Sequence, residues 1–429
     1  MRPSPTARRL LLAAALVLPA SASGAVLPLG PAAAAEPDTQ LVLPDDAPAV
    51  DGTDAGAPTT LPRGWSRTTL GGDGAIGYFE VRREQEGSTI HVAAVTPGAS
   101  PDSSESVTVD VETSDASYCA SATGSRSEDE LGLVTASTLV GPEDPLEASS
   151  GAAADEPCVE ASSLQVELKR GASAGSAATE VWFRVVEESP VPDVDGLADP
   201  ARAERDQVDV SGEPEDRPGG RDVADAPLVG DGIWRGTVPA GGQVAYRVAV
   251  AEGQTLRAEV VSPALSADDA TELGYGTDIA LTLRDPVLSA ERTLNDYGSL
   301  GSEPARAQAA AGPVLHRNRF DSFEGPYLPG EYLVVISMGT VDLDGLDDVP
   351  YTLRVGVEGE PATVEHTTEP PFLAGSEATD TVLLGAPAPA DDASSSTVQY
   401  VAGGALVALG LVLAAGGGLL VRRQAVSSR

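Results

Sequence analysis

The sequence predicts an all-β protein: two tandem β-sandwich domains, preceded by an N-terminal signal peptide and followed by one C-terminal transmembrane helix. Three observations predict it. Short runs rich in Val, Thr, Ile and Tyr are separated by Gly, Pro and Asp, with an apolar period of two. Amphipathic stripes of helical period are missing, and the long apolar run near the C-terminus is uncharged. Two segments repeat the same motifs in the same order, about 168 positions apart.

Residues 1–35 read as the signal peptide. Arg2, Arg8 and Arg9 precede the apolar stretch 10–18, and Ala33-Ala34-Ala35 offers a small-residue cleavage site before Glu36. The residues around Arg8-Arg9 fit a twin-arginine route poorly, so ordinary secretory export is expected. Residues 36–60 are rich in Pro, Ala and Asp, apolar only at Leu41-Val42-Leu43, and read as a flexible lead-in. The first sandwich is expected over 61–189. Residues 190–231 carry many Asp, Glu, Arg, Pro and Gly without periodic pattern, an acidic Pro/Gly-rich linker. The second sandwich is expected over 232–359, with strands at 234–238, 244–250, 255–262, 278–283, 330–337 and 351–357. Residues 360–399 form an Ala/Pro/Ser-rich stalk. Residues 400–421 are long enough to cross a bilayer as a helix, and Arg422 and Arg423 place the tail 422–429 in the cytoplasm. The expectation is a single-pass type I protein of the cell membrane with an extracellular ectodomain.

The repeat is visible in several places. Leu70 and Tyr78 match Val238 and Tyr246. Gly87-Ser-Thr-Ile90 matches Gly253-Gln-Thr-Leu256, and Thr96-Pro97 matches Ser262-Pro263. Leu164-Gln-Val-Glu-Leu168 with Gly171 matches Tyr332-Leu-Val-Val-Ile336 with Gly339, and Trp182-Phe-Arg-Val185 falls against Thr352-Leu-Arg-Val355.

Segment 36–399 holds all 65 acidic residues and 21 of the 27 basic ones, a net charge of −44 against −38 for the whole chain. Such a field repels nucleic acid and anionic lipid surfaces, and no basic stripe opposes it. Lys169 is the single lysine.

The second unit contains Gly236-Thr-Val-Pro-Ala-Gly-Gly-Gln-Val-Ala-Tyr246, Gly253-Gln-Thr-Leu256, Asp278-Ile-Ala-Leu-Thr-Leu283, Pro329-Gly330-Glu-Tyr332 and Pro350-Tyr351-Thr-Leu-Arg-Val355. It resembles the bacterial pre-peptidase C-terminal (PPC) domain over 232–358. Residues 62–187 resemble it more loosely; the Pro-Gly-x-Tyr turn is missing and a cysteine loop intrudes. The Ala/Gly/Val/Asp bias with arginine over lysine resembles actinobacterial coding. The resemblance implies a jelly-roll-like β-sandwich and an accessory module with a binding or structural role, without an enzyme of its own.

Cys119 and Cys158 are the only cysteines, and in an exported chain they are expected to pair. Such a loop contributes ~3–4 kcal/mol by chain entropy. Gly171-Ala-Ser173-Ala-Gly175 fits the G-x-S-x-G elbow, but a strand follows it where that motif needs a helix. A serine hydrolase using Ser173 is the weaker alternative. Asp342, Asp344, Asp347 and Asp348 surround Gly345 and offer hard oxygens suited to calcium, without the glutamate or helices of an EF-hand. The solvated hairpin loop is the competing reading. Trp65, Trp182 and Trp234 read as packing residues, with sugar platforms as the alternative. His91, His316 and His366 lie far apart in different elements; a triad or zinc site would need them to converge with partners, and they read as solvent-exposed or packed histidines. The expectation is a non-enzymatic display protein for an unknown protein or cell-envelope partner; a carbohydrate- or wall-binding module is the alternative.

Overall fold

The computed structural model describes residues 40–97, 104–127, 132–142, 156–172, 176–273, 277–320, 325–339, 347–368 and 370–374. The expected signal peptide 1–35, the apolar run 400–421 and the expected tail 422–429 lie outside the described residues. Among the described residues no helix is long and apolar enough to cross a membrane.

The fold is all-β. After the short β1 (Thr59–Thr60) come β2 (Gly64–Leu70), β3 (Ile76–Arg82), β4 (Thr89–Thr96), β5 (Glu105–Thr113), β6 (Tyr118–Arg126), β7 (Val134–Val140), β8 (Ser163–Arg170) and β9 (Thr179–Glu188). After the short β10 (Glu215–Asp216) come β11 (Gly232–Pro239), β12 (Gln243–Val250), β13 (Thr255–Ser262), β14 (Asp278–Arg284), β15 (Asp296–Ser299), β16 (Ala305–Ala311), β17 (Gly330–Met338) and β18 (Asp348–Glu358), and finally β19 (Phe372–Leu373). Helix α1 is Glu156–Glu160 and α2 is Ala267–Leu273.

Strands β3-β8-β5-β6 form one sheet and β9-β4-β7, with β2 paired to β9, the facing one. The second set repeats this order: β12-β17-β14-β15 faces β11-β18-β13-β16. Each strand of the first set has its counterpart nine numbers later. The matched motifs occupy counterpart strands, so the duplication seen in the residues is a duplication of topology. Each pair of sheets encloses its own core. Phe79, Val81, Ile90, Val107, Val109, Leu168 and Phe183 fill the first, and Tyr246, Leu256, Val260, Leu281, Tyr332 and Leu353 the second. In β5 Val107, Val109 and Val111 point inward while Thr108, Asp110 and Glu112 alternate outward, the period-two pattern of a half-buried strand. Where the two sheets of a sandwich meet at an edge, a glycine makes room. A Cβ on Gly124 of β6 would lie 2.2 Å from the Thr135 carbonyl oxygen, and one on Gly298 of β15 would lie 2.4 Å from that of Arg306.

β4 departs from alternation, because all eight of its residues are buried. The reason is a covered second face. Trp65, Val95, Leu133 and Trp182 of the first sandwich pack against Ala245, Leu288, Leu333 and Val335 of the second. Ala93 and Val186 likewise pack with Val287, Tyr327 and Leu328. The two sandwiches therefore stack as four sheets in one body. Arg284 spans the junction, donating to the Leu133 carbonyl at 2.6 Å and to Thr135 Oγ1 at 3.1 Å.

Three segments expected to be loose are packed. In the lead-in, Leu41, Leu43 and Ala47 are buried in the junction, and Trp182 Nε1 donates to the Pro44 carbonyl at 2.9 Å. The expected linker 190–231 runs along the second sandwich, with Val208, Val223, Ala226 and Val229 buried and Gly220 bridged to Ala245. The described start of the stalk returns to the first sandwich, where Phe372 pairs with Glu188 and Leu373 with Glu187. The physical reason is common to all three. A few apolar residues per segment suffice when the surface they meet is itself an uncovered apolar sheet face.

Candidate functional site

Cys119 on β6 and Cys158 on α1 form a disulfide with their Cα atoms 5.6 Å apart. It ties the insertion between β7 and β8 to an edge strand, and Cys158 is buried against the first core. Ser173, Asp342 and Asp344 lie outside the described residues, while Asp347 and Asp348 are exposed at the start of β18. Among the described residues no group of three or more His, Cys, Asp or Glu is placed to hold a metal ion. The three tryptophans are buried. Arg184 lies over the Trp65 ring at 5.2 Å and Arg217 over Trp234 at 5.7 Å.

The histidines do not stay apart. All three converge on Glu188, the last residue of β9, at the junction of the sandwiches. His91, on the junction face of β4, places Nε2 2.9 Å from Glu188 Oε2. His316 opens a 3-10 turn, His316–Phe320, and holds Nδ1 3.3 Å from Oε1. His366, in the returning C-terminal segment, places Nε2 3.4 Å from the same oxygen. Arg319 of the turn donates to both carboxylate oxygens, at 2.7 and 2.9 Å, and also approaches His316 Nδ1 at 2.9 Å. Tyr327 stacks on His91 at 5.8 Å and lies under Arg319 and Arg292. Glu252, in the turn between β12 and β13, accepts the His316 backbone N–H at 2.8 Å, while its other oxygen is buried without a partner among the described residues.

The electrostatics follow from burial and pairing. Burial alone would raise the Glu188 carboxyl, but Arg319 and the three imidazole contacts outweigh it and hold it well below the usual range. Burial lowers His91 against the pull of Glu188, and burial together with Arg319 lowers His316. Burial pushes Glu252 up to about 7, with the His316 N–H opposing. The arrangement is a balanced buried ion pair, Glu188 with Arg319, flanked by three imidazoles. A recess of about 40 Å³ beside it is lined by Ser189, Pro190, His316, Arg319 and Phe320, among others. Glu188 and Arg319 carry no motif in the sequence. His91 and His316 sit among apolar residues, while His366 lies in the acidic stretch Val364-Glu365-His366-Thr-Thr-Glu369 and carries no such signal.

No family model matches the chain, and no curated protein matches it. The PPC resemblance therefore rests on the quoted motifs. Solved structures do match, distantly. A Cowpea mosaic virus top-component particle shares 12% identity over 75% of this chain and 95% of that one, with a TM-score of 0.19. The N-terminal CBM22-1-CBM22-2 tandem domain of Paenibacillus barcinonensis Xyn10C shares 10% identity over 69% and 94%, with a TM-score of 0.16. The human MASP-1/3 CUB1-EGF-CUB2 region shares 10% over 68% and 99%, with a TM-score of 0.15. At these scores the neighbours add nothing to the strand order described above.

Proposed function

We propose that the chain is a non-enzymatic surface protein, exported and anchored by its C-terminal helix, that displays two PPC-like jelly rolls as one rigid body to bind a protein or envelope partner. The observation that carries this reading is the Cys119–Cys158 bond. Disulfides persist in oxidising compartments outside the cytosol, and the apolar ends of the sequence point to the same place. The jelly-roll reading draws on the strand order: first-eighth-third-sixth in one sheet and second-seventh-fourth-fifth in the other. The outer faces suit display. β3, β5 and β8 turn Glu80, Asp110, Glu167 and Lys169 outward, and β16 and β18 turn out Arg306 and Arg354, which both pair with Glu259 of β13.

The test is protease shaving of intact cells that carry a tag after Arg429. Release of residues 36–399 with the tag protected is expected. A cut tag beside a protected 36–399 segment would overturn the topology and the display role with it. Sugar arrays probed with the same protein separate the partner classes: specific glycan binding replaces the protein-partner reading with the carbohydrate one.

A further inference from the structure

Four separate elements meet at Glu188: β4 with His91, β9 with Glu188 itself, the 3-10 turn with His316 and Arg319, and the C-terminal segment with His366. The C-terminal segment is held there by backbone and side-chain bonds. Ala362 N–H donates to the Glu252 carbonyl at 2.7 Å, and Thr367 N–H to the Pro190 carbonyl at 2.9 Å. Ser189 N–H donates to the Pro371 carbonyl at 2.8 Å, and Thr368 N–H donates to Ser189 Oγ at 3.1 Å. The Thr367 and Thr368 hydroxyls also meet Ser189 Oγ, Thr368 Oγ1 donates to Gln85, Phe372 and Leu373 pair with β9, and Ala374 is buried against Ala93 and Val186.

The geometry favours neutral rings at two of the three histidines. Arg319 Nη2 can only donate, so its 2.9 Å approach to His316 Nδ1 calls for a lone pair on that nitrogen, in competition with Glu188 Oε1 at 3.3 Å, which would take an Nδ1–H. His91 donates from Nε2 to Glu188, and its Nδ1 is buried with no partner among the described residues, so a second N–H would be stranded. One carboxylate already balances Arg319. Each added imidazolium would be an uncompensated buried cation beside that guanidinium, with Arg292 close by over Tyr327. Glu252 is the other carboxylate facing the cluster.

We propose that the Glu188 cluster is an acid-sensitive latch: protonation of His316 and His91 breaks the contact with Arg319 and releases residues 361–368 and 370–374 from the junction of the sandwiches. Histidine is suited to this because its charge changes within the physiological range. The lowered imidazoles give the direction. Their contribution is full above the ordinary imidazole value and is lost as pH falls through their folded values. Glu252 works the other way: a raised carboxyl contributes fully below its ordinary value, and that contribution is lost as pH rises through about 7. Raised carboxyls elsewhere, Asp285 and Glu331, also favour the fold at lower pH. A global melting curve therefore mixes opposing contributions, and the latch has to be read locally.

The experiment is hydrogen exchange of the full-length chain in detergent at pH about 7.5 and about 5.5, corrected for the intrinsic pH dependence of exchange. Protection of 361–368 and 370–374 is expected to fall about tenfold relative to β13 at the lower pH, the effect of one imidazole kept neutral about one pH unit below its ordinary value. His91→Gln with His316→Gln keeps polar partners without a titrating ring and is expected to remove the fall. If that pair loses β13 protection at the higher pH, His316→Gln alone takes its place, with a reduced fall expected. Unchanged protection of 361–368 and 370–374 in the parent, or a fall of the same size in the glutamine variant that folds, overturns the latch.

Discussion

Glu188 and Arg319 belong to different sandwiches and are 131 residues apart, yet they form a two-pronged buried ion pair. The pair joins the end of β9 to the 3-10 turn at the junction of the sandwiches, where its polar groups are satisfied by each other and by the three histidines. Its members depend on each other, because neither has water to fall back on.

Removing one partner strands the other. Arg319→Met is expected to cost about 3–5 kcal/mol in urea unfolding at neutral pH. Adding Glu188→Gln to that variant should recover part of the loss. Equal losses in the single and double variants would show that packing, and not charge, decides the effect.

The Cys119–Cys158 bond closes a loop of 39 residues in sequence separation. Replacing both with serine is expected to lower the stability of the first sandwich by ~3–4 kcal/mol in the chain-entropy account. Non-reducing peptide mapping of the protein isolated with its thiols blocked should recover the linked pair.

Asp285 is buried beside Arg284 and accepts the N–H groups of Val287 and Ser289. Burial pushes it up to about 7. A raised carboxyl contributes fully below its unfolded value, and that contribution is lost as pH rises through about 7. Asp285→Asn keeps the acceptor and removes the titration. Unfolding free energies followed from pH about 5 to about 8 should decline less steeply in the variant than in the parent.

Gly298→Ala places a methyl against the backbone of Arg306, and Gly124→Ala places one against Thr135. Neither neighbour is a flexible side-chain end. Each substitution is expected to cost about 1–3 kcal/mol through overpacking. The losses should fall in different sandwiches, read by exchange at β16 for one and at β7 for the other.

Much of the fold was legible because both cores obey period two and the motifs recur in the same order at an offset of about 168. β16 escaped because Ala305–Ala311 is mostly alanine, which carries little strand preference, and β15 because it is only four residues long. The packed lead-in and linker were illegible for another reason. Their composition is that of solvated chain, and only an exposed apolar sheet face, made of Trp65, Val95 and Trp182, turns a few leucines and valines into anchors. The histidine cluster was hidden because convergence across 275 positions, from His91 to His366, depends on how the sandwiches stack, and no local pattern encodes that.

Ser189 touches Thr367 and Thr368 through its hydroxyl, at 3.1 and 2.8 Å. The chain leaves the first sandwich at this residue and returns beside it almost 180 positions later. In connectivity the second repeat is thus a guest inserted into its host, tied off at the neck. Tension applied across the described chain, from residue 40 to residue 374, would pass through the host and bypass the guest, until the neck is pulled open.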